Sequence, residues 1–394
     1  MSTTAQVSVP ASIWKWVTTI GSTRKLSPED HRHIDRWMSG NATPTVNQLI
    51  KLSNKLEIPF GYFFLAKPID DTPEIFAHRT LRNSAISRPS RNLVDTLDSM
   101  QSVQDWMRQD AIDHGDTPMP FVGSWNLQHA DAMELASAIR EQLDLATTWY
   151  CQNGHSLPAD KAFNTLRKLC TDAGIIVMLN GIVGDNTHRP LDPYEFRAFA
   201  LVDEYAPLIF INRADSIHGQ IFSLAHEIAH IWLGKEEIYN AEYRQTDNAP
   251  IEVLCNAVAA ELLVPQQKFS RQWQTAQAQG DTDYTAIDRL SQAFPASQVV
   301  IARRALDGRL IPQDVYNRVC AESAEQWEKN RKTSSNTSGG NYYSTKQSRL
   351  DHRFIEHLAA SISEGQTSYT DAYRLTGTNR KTFPKLLETI GAGR

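Results

Sequence analysis

The chain has 394 residues, with 40 lysines and arginines against 45 aspartates and glutamates and a formal net charge of -5. That length predicts two or three domains, and 41% apolar residues suffice for their cores; the charge argues against nucleic-acid binding over the whole surface and leaves local basic patches open. No stretch reaches the length of a membrane helix, and the opening MSTTAQVSVPASIWKW lacks the basic-then-apolar order of a signal peptide, so a cytoplasmic location is expected.

A compact helical module is expected over residues 1–66. SIWKWVTTI predicts a first helix, Ser27 reads as the cap of SPEDHRHIDRWM, and Ser39-Gly40-Asn41 reads as a turn. Thr43-Pro44-Thr45 opens a further helix, on which Val46, Leu49, Leu52 and Leu56 recur at helical spacing. RWMSGNATPTVNQLIKLSNKLEIPFGYFFL resembles the closing helices of the Xre-type helix-turn-helix family. Between Gly21 and Ile34 the chain departs from that family. The segment is shorter than a helix-turn-recognition-helix unit, and Arg24, Lys25 and Arg32, with Arg36 just beyond, are set among Glu29 and Asp30. The module is thus a degenerate Xre-like domain, for which DNA binding and a scaffold or partner-docking role both stand open.

Residues 67–123 read as a connector that becomes helical and ends at about Asp113. A folded domain is expected over 124–322, with helices at Ala132–Leu145 and Asp160–Ala173. Strand-like runs follow: GIIVML from Gly174, FRAFALVD from Phe196 and LIFIN from Leu208, the last two joined as a hairpin. These elements predict an α+β fold with a small, mostly antiparallel sheet.

From Phe222 to Leu233 the chain reads FSLAHEIAHIWL, an apolar run carrying His226, Glu227 and His230. Helical pitch sets the two histidines one turn apart on one face, the HExxH arrangement of zinc hydrolases. Burying such groups is costly unless something satisfies them, and a divalent metal satisfies two imidazoles at once. Chance alone can set two histidines four apart in a chain with 12 of them, so a second feature is needed. It comes from IEVLCNAVAAELLV, Ile251 to Val264, where Glu252 and Asn256 share a helix face. Glu252 completes a shell of two histidines and a glutamate with a position left for water, and Asn256 is placed to orient a ligand histidine. Glu261 turns to the opposite side and is the weaker ligand candidate. The bland reading of this helix is an amphipathic segment with solvated polar residues. Cys151, Cys170, Cys255 and Cys320 show no CxxC spacing, and packing is the expected role of Cys255.

Residues 323–348 turn polar and predict a flexible linker. The tail 349–394 is helical again, with a turn at Gly377 and a second helix from near Thr382 that tolerates Pro384 in its first turn. Its Arg374, Arg380 and Lys381 suit phosphates or an acidic partner; an ordinary solvated hairpin is the alternative.

FSLAHEIAHIWLG and IEVLCNAVAAELLVP, with the preceding FALVDEYAPLIFIN and the helix from about Ala132, resemble the ImmA/IrrE family of metallo-endopeptidases. With the N-terminal module, the chain is similar to the longer members that join both domains. The resemblance implies a zincin-like (gluzincin-like) domain in which His226, His230 and Glu252 bind Zn2+, with Mn2+ the alternative, and Glu227 is the general acid/base. Asn256 and Pro265 match the family's second motif; Ala229 stands where glycine or serine is usual, and Cys255 where alanine is common. The implied substrate is a DNA-binding repressor or a toxin-antitoxin partner. An edge of the FALVD and LIFIN hairpin, through Phe199, Leu201 and Asp203, is expected to receive it as an added strand. His218, Tyr239 and Tyr243 are near enough in sequence to stabilise an oxyanion, and none is favoured. The competing reading is a non-enzymatic, antitoxin-like regulator with a structural or vestigial metal site. An intact Glu227 opposes it, since a purely structural site has no use for that carboxylate.

Overall fold

The structure, a computed structural model, describes residues 5–73, 89–235, 237–239, 250–334 and 342–391. Contacts divide the chain into two units, Met1–Asp98 and Ser99–Arg394.

In the first unit, α1 (Ala11–Ile20), α2 (Pro28–Met38), α3 (Val46–Leu56) and a 3-10 helix (Phe60–Phe64) enclose an aromatic core. Trp14 stacks on Trp37 at 5.6 Å and meets Phe63 at 5.4 Å. Both α2 and α3 begin with a capping box, Ser27 with Asp30 and Thr45 with Gln48, which satisfies amides that a helix start leaves orphaned. Hydrogen bonds from Lys55 and Ser27 hold the Asp30 carboxyl down at about 2. The connections, residues 21–27 and 39–45, are longer than the roughly 3–4-residue turn of a helix-turn-helix. Neither supplies the short turn that would mark a DNA-reading pair.

The unit boundary falls inside α4 (Arg91–Asp113), whose end is the one expected. There follow α5 (Ala132–Gln142), a small hairpin of β1 (Cys151–Gln152) and β2 (His155–Ser156), α6 (Ala159–Asp172), β3 (Ile176–Asn180), a second hairpin of β4 (Ile182–Val183) and β5 (Asn186–Pro190), β6 (Ala198–Leu201) and β7 (Leu208–Asn212). Next come α7 (Ile217–Leu233), β8 (Glu237–Tyr239) and α8 (Pro250–Leu263). The main sheet runs β3-β7-β6-β8, with β3 parallel to β7 and the other pairs antiparallel. All of β6 and β7 is buried, and so is β3 up to Leu179. Both faces of these strands are covered, which is why they read as unbroken apolar runs rather than alternating ones. Together the helices and this small sheet make an α+β fold.

The outer edge of β3 is closed by side chains rather than by another strand. Ile176 N–H donates to Pro207 O on the β7 side at 2.8 Å, which turns the Val177 groups outward. Val177 N–H donates to Asp351 Oδ2 at 3.1 Å, and Val177 O accepts from Arg167 at 2.9 Å. Arg167 also donates to Ser348 O at 2.8 Å and Leu350 O at 2.7 Å, tying the C-terminal segment to the sheet.

Helices α9 (Gln266–Ala278), α10 (Asp283–Ala293), α11 (Gln298–Asp307) and α12 (Gln313–Ser334) complete the main body, followed by α13 (Tyr342–Arg349), α14 (His352–Ser363), α15 (Tyr369–Thr376) and α16 (Phe383–Gly391). The flexible linker expected over 323–348 is therefore corrected: its described parts are helical, the end of α12 and α13 as far as Ser348. The segment SAEQWEKNRKTS is poor in apolar residues but rich in helix formers, and Glu325 pairs with Lys329 one turn on at 2.7 Å. In α13, Lys346 and Arg349 both reach Asp185, at 2.9 and 3.3 Å.

Helix α7 stops at Gly234, left-handed at φ 62°, and the chain from Phe121 folds over that end. Gly123 N–H donates to Ile231 O at 2.9 Å and Trp125 N–H to Trp232 O at 3.1 Å, while Phe121 stacks on Trp232 at 4.5 Å. A Cβ on Gly234 would lie 2.9 Å from Gly123 Cα, backbone that cannot swing aside. Strained φ and contact add, so Gly234→Ala should lower stability by about 1–3 kcal/mol. An unshifted urea midpoint would show that the two glycines need not approach so closely.

Candidate metal centre

Helix α7 lacks a polar face, and every residue from Gln220 to Leu233 is buried, as such a helix requires. Its start is secured by the Ser216 hydroxyl, which accepts from Gly219 N–H at 3.1 Å, and the buried Gln220 amide donates to Asp215 O at 2.8 Å. Within this helix His226, Glu227 and His230 have no exposed surface. The single-turn spacing brings the two imidazole rings to 4.9 Å.

Packing of α8 against α7 carries Glu252, in its first turn, to both rings. His226 Nε2 and His230 Nε2 are 3.0 Å apart; Glu252 Oε2 is 3.4 Å from the former and Glu252 Oε1 3.3 Å from the latter. The Glu252 side chain keeps 14% of its surface, so the group lies beneath the surface with one side toward solvent. Asn256, one turn beyond Glu252, presents Oδ1 to His226 Nδ1 at 3.1 Å. An amide oxygen accepts, so the proton sits on Nδ1 and the Nε2 lone pair faces Glu252 and His230.

Burial disfavours charge on all three groups, and their mutual contacts decide which way each moves. Burial pushes the His226 imidazole down despite Glu252. At His230 burial is outweighed by Cys255, Glu252 and Glu227, and its protonated form is favoured. Burial opposes the charge on Glu252 as well, but the two imidazoles overcome it and hold the carboxyl far below its ordinary range. An anionic carboxylate thus faces two ring nitrogens.

That donor set fits a divalent metal. Tetrahedral ligands at zinc-like bond lengths are separated by about 3.3 Å, and the three separations here span 3.0–3.4 Å. Imidazole nitrogen and carboxylate oxygen are donors that zinc accepts and manganese tolerates.

Cys255 is a residue whose position the sequence did not disclose. Its Sγ lies within 4.8 Å of the ligand nitrogens of both histidines, and burial pushes the thiol up. The buried, apolar setting expected of it is present too, with no exposed surface. The signal for its second contact was its place three residues after Glu252, the i, i+3 spacing that shares a helix face.

The residues expected to meet substrate have partners within the fold. Phe199 is fully buried and stacks on Phe210 at 5.1 Å; Leu201 is 3% exposed; Asp203 is paired with Arg108 at 2.9 Å. The expected edge is taken over part of its length: β7 lies between β3 and β6, and β8 pairs with β6 at Ala198–Ala200. Glu261 is turned away from the histidines and pairs with Arg304 at 2.6 Å, and Pro265 precedes α9 as its N-cap. His218 lies half-buried in the first turn of α7, its imidazole pushed down by burial. Tyr243 and the Tyr239 side chain fall outside the described residues.

Residues 170–306 match the peptidase M78 family model, the IrrE N-terminal-like domain. The match supports the ImmA/IrrE resemblance and suggests a metallopeptidase with a protein substrate. The IrrE N-terminal-like segment contains β3, β6, β7, α7 and α8, and with them His226, Glu227, His230 and Glu252. Residues 350–389 match a second model, Domain of unknown function (DUF8813). No curated protein and no solved structure matches the chain. Among the described residues, no helix is long and apolar enough to cross a membrane.

Proposed function

We propose that the chain is a zinc-dependent endopeptidase of narrow specificity that cuts a DNA-binding repressor or a toxin-antitoxin partner in the cytoplasm. The observation that carries this reading is the approach of two imidazoles and one carboxylate to 3.0–3.4 Å beside a fully buried glutamate. His226, His230 and Glu252 hold the metal, and Asn256 keeps His226 in the tautomer that offers Nε2. A divalent cation held there would supply Lewis acidity toward the scissile carbonyl and toward water. Glu227 takes a proton from the attacking water and hands it to the leaving amine. Shielded from solvent, its carboxylate exchanges protons with the reacting groups rather than with the bulk.

The test is cleavage of a repressor encoded beside this chain by the metal-loaded protein, with Glu227→Gln in parallel. Cleavage by both proteins, or by neither, defeats the assignment. The ligand set has its own check. His226→Ala removes one of three donors, and metal analysis after dialysis should fall from roughly stoichiometric to near none. Full retention of metal would remove His226 from the shell.

A further inference from the structure

We propose that α15 and α16 form a helix-turn-helix that seats α16 in the major groove of double-stranded DNA, a binding function independent of the metal centre. Helix α15 ends at Gly377, left-handed at φ 62°, whose N–H is taken by the carbonyls of Tyr373 and Arg374. Two residues later Asn379 caps the next helix: its Oδ1 accepts from Lys381 N–H at 2.9 Å and Thr382 N–H at 3.2 Å, and its carbonyl from Phe383 N–H at 2.9 Å. From the glycine to the capping asparagine the turn is Gly377-Thr378-Asn379, and residues 380–382 form a further turn of chain, closed on Asn379, that leads into α16. Ala372, Leu375 and Thr376 of α15 are buried, as are Phe383 and Leu386 of α16, which packs on α13 and α14. Phe383 meets Tyr373 edge-on at 5.6 Å, the ring contact that joins the two helices.

Pro384, Lys385 and Glu388 of α16 are exposed, as are Arg380 and Lys381 in the turn that leads into it and Arg374 on α15. The module is held by other surfaces. In α14, His357 Nδ1 lies 2.7 Å from Asp110, and beyond it Thr367 accepts from Trp106 Nε1 at 3.1 Å. Cations at the head of a rigid, outward helix meet phosphates and guanine edges. An acidic protein partner fits less well, since a protein interface needs an apolar centre and, among the described residues, the exposed side of α16 offers Pro384 alone.

The experiment measures binding of the full chain to a fluorescent mixed-sequence duplex by anisotropy across a salt series. Arg380→Glu with Lys381→Glu should weaken binding at least about tenfold and lower the salt slope by about 2, while Glu388→Lys strengthens it. Both substituted positions are exposed, and an unchanged thermal melt and metal content confirm a folded chain. Wild-type affinity in the double variant, no binding by the wild type, or equal competition by polyglutamate of matched charge would each overturn the proposal.

Discussion

A Glu227→Gln variant should keep its metal and lose peptide cleavage by about 10²–10⁴-fold, the range that a positioned general acid/base supplies. The substitution preserves size in a helix where the side chain has no exposed surface, so neither packing nor the approach of α8 is disturbed. His226, His230 and Glu252 are untouched. What disappears is an oxygen that can accept a proton, since an amide does not take one at working pH. Single-turnover cleavage beside metal analysis separates the outcomes. Activity within a few-fold of wild type would exclude Glu227 from proton transfer, and loss of the metal together with activity would make its role structural.

The second large effect is expected at Asp351. This carboxylate is fully buried and accepts from the Thr171 hydroxyl at 2.7 Å, Val177 N–H at 3.1 Å and Phe354 N–H at 3.2 Å, the last as N-cap of α14. Replacement by alanine leaves a buried strand amide unsatisfied, uncaps a helix and removes a counter-charge from the buried Arg167. The sum is about 2–4 kcal/mol. Urea unfolding followed by tryptophan fluorescence should show an earlier midpoint for Asp351→Ala, with Asp351→Asn between it and the wild type. A midpoint within about 0.5 kcal/mol of wild type would mean that water replaces the carboxylate at no cost.

Local pattern made much of this legible. LIFIN is the strand β7 residue for residue, because a short β-branched and aromatic run has no competing helical period. Ser27 and Thr45 stand at helix starts because each is followed three residues later by a side chain that closes a capping box. Glu252 meets the histidines because the spacing of polar positions in an apolar helix leaves it one face to use. Hidden from that reasoning was everything decided by distant partners. Burial of Phe199 depends on strand order, and β6 gains a neighbour from β8, whose three residues are too few to show a period. The helical end of α12 was masked by its polarity, which reports exposure rather than backbone conformation. Asp351 gave no sign in its neighbours of a role at β3, residues away by 174 in the chain.

The closure of β3 has a consequence for what the protein refuses. An exposed strand flank is an invitation to any extended chain, including a sister molecule early in aggregation. Here Arg167 and Asp351 occupy the outward carbonyl and amide of Val177, so a visiting strand finds no rung to join at that residue. A protein shortened before Ser348 would reopen that flank, and self-association should appear before any change at the metal.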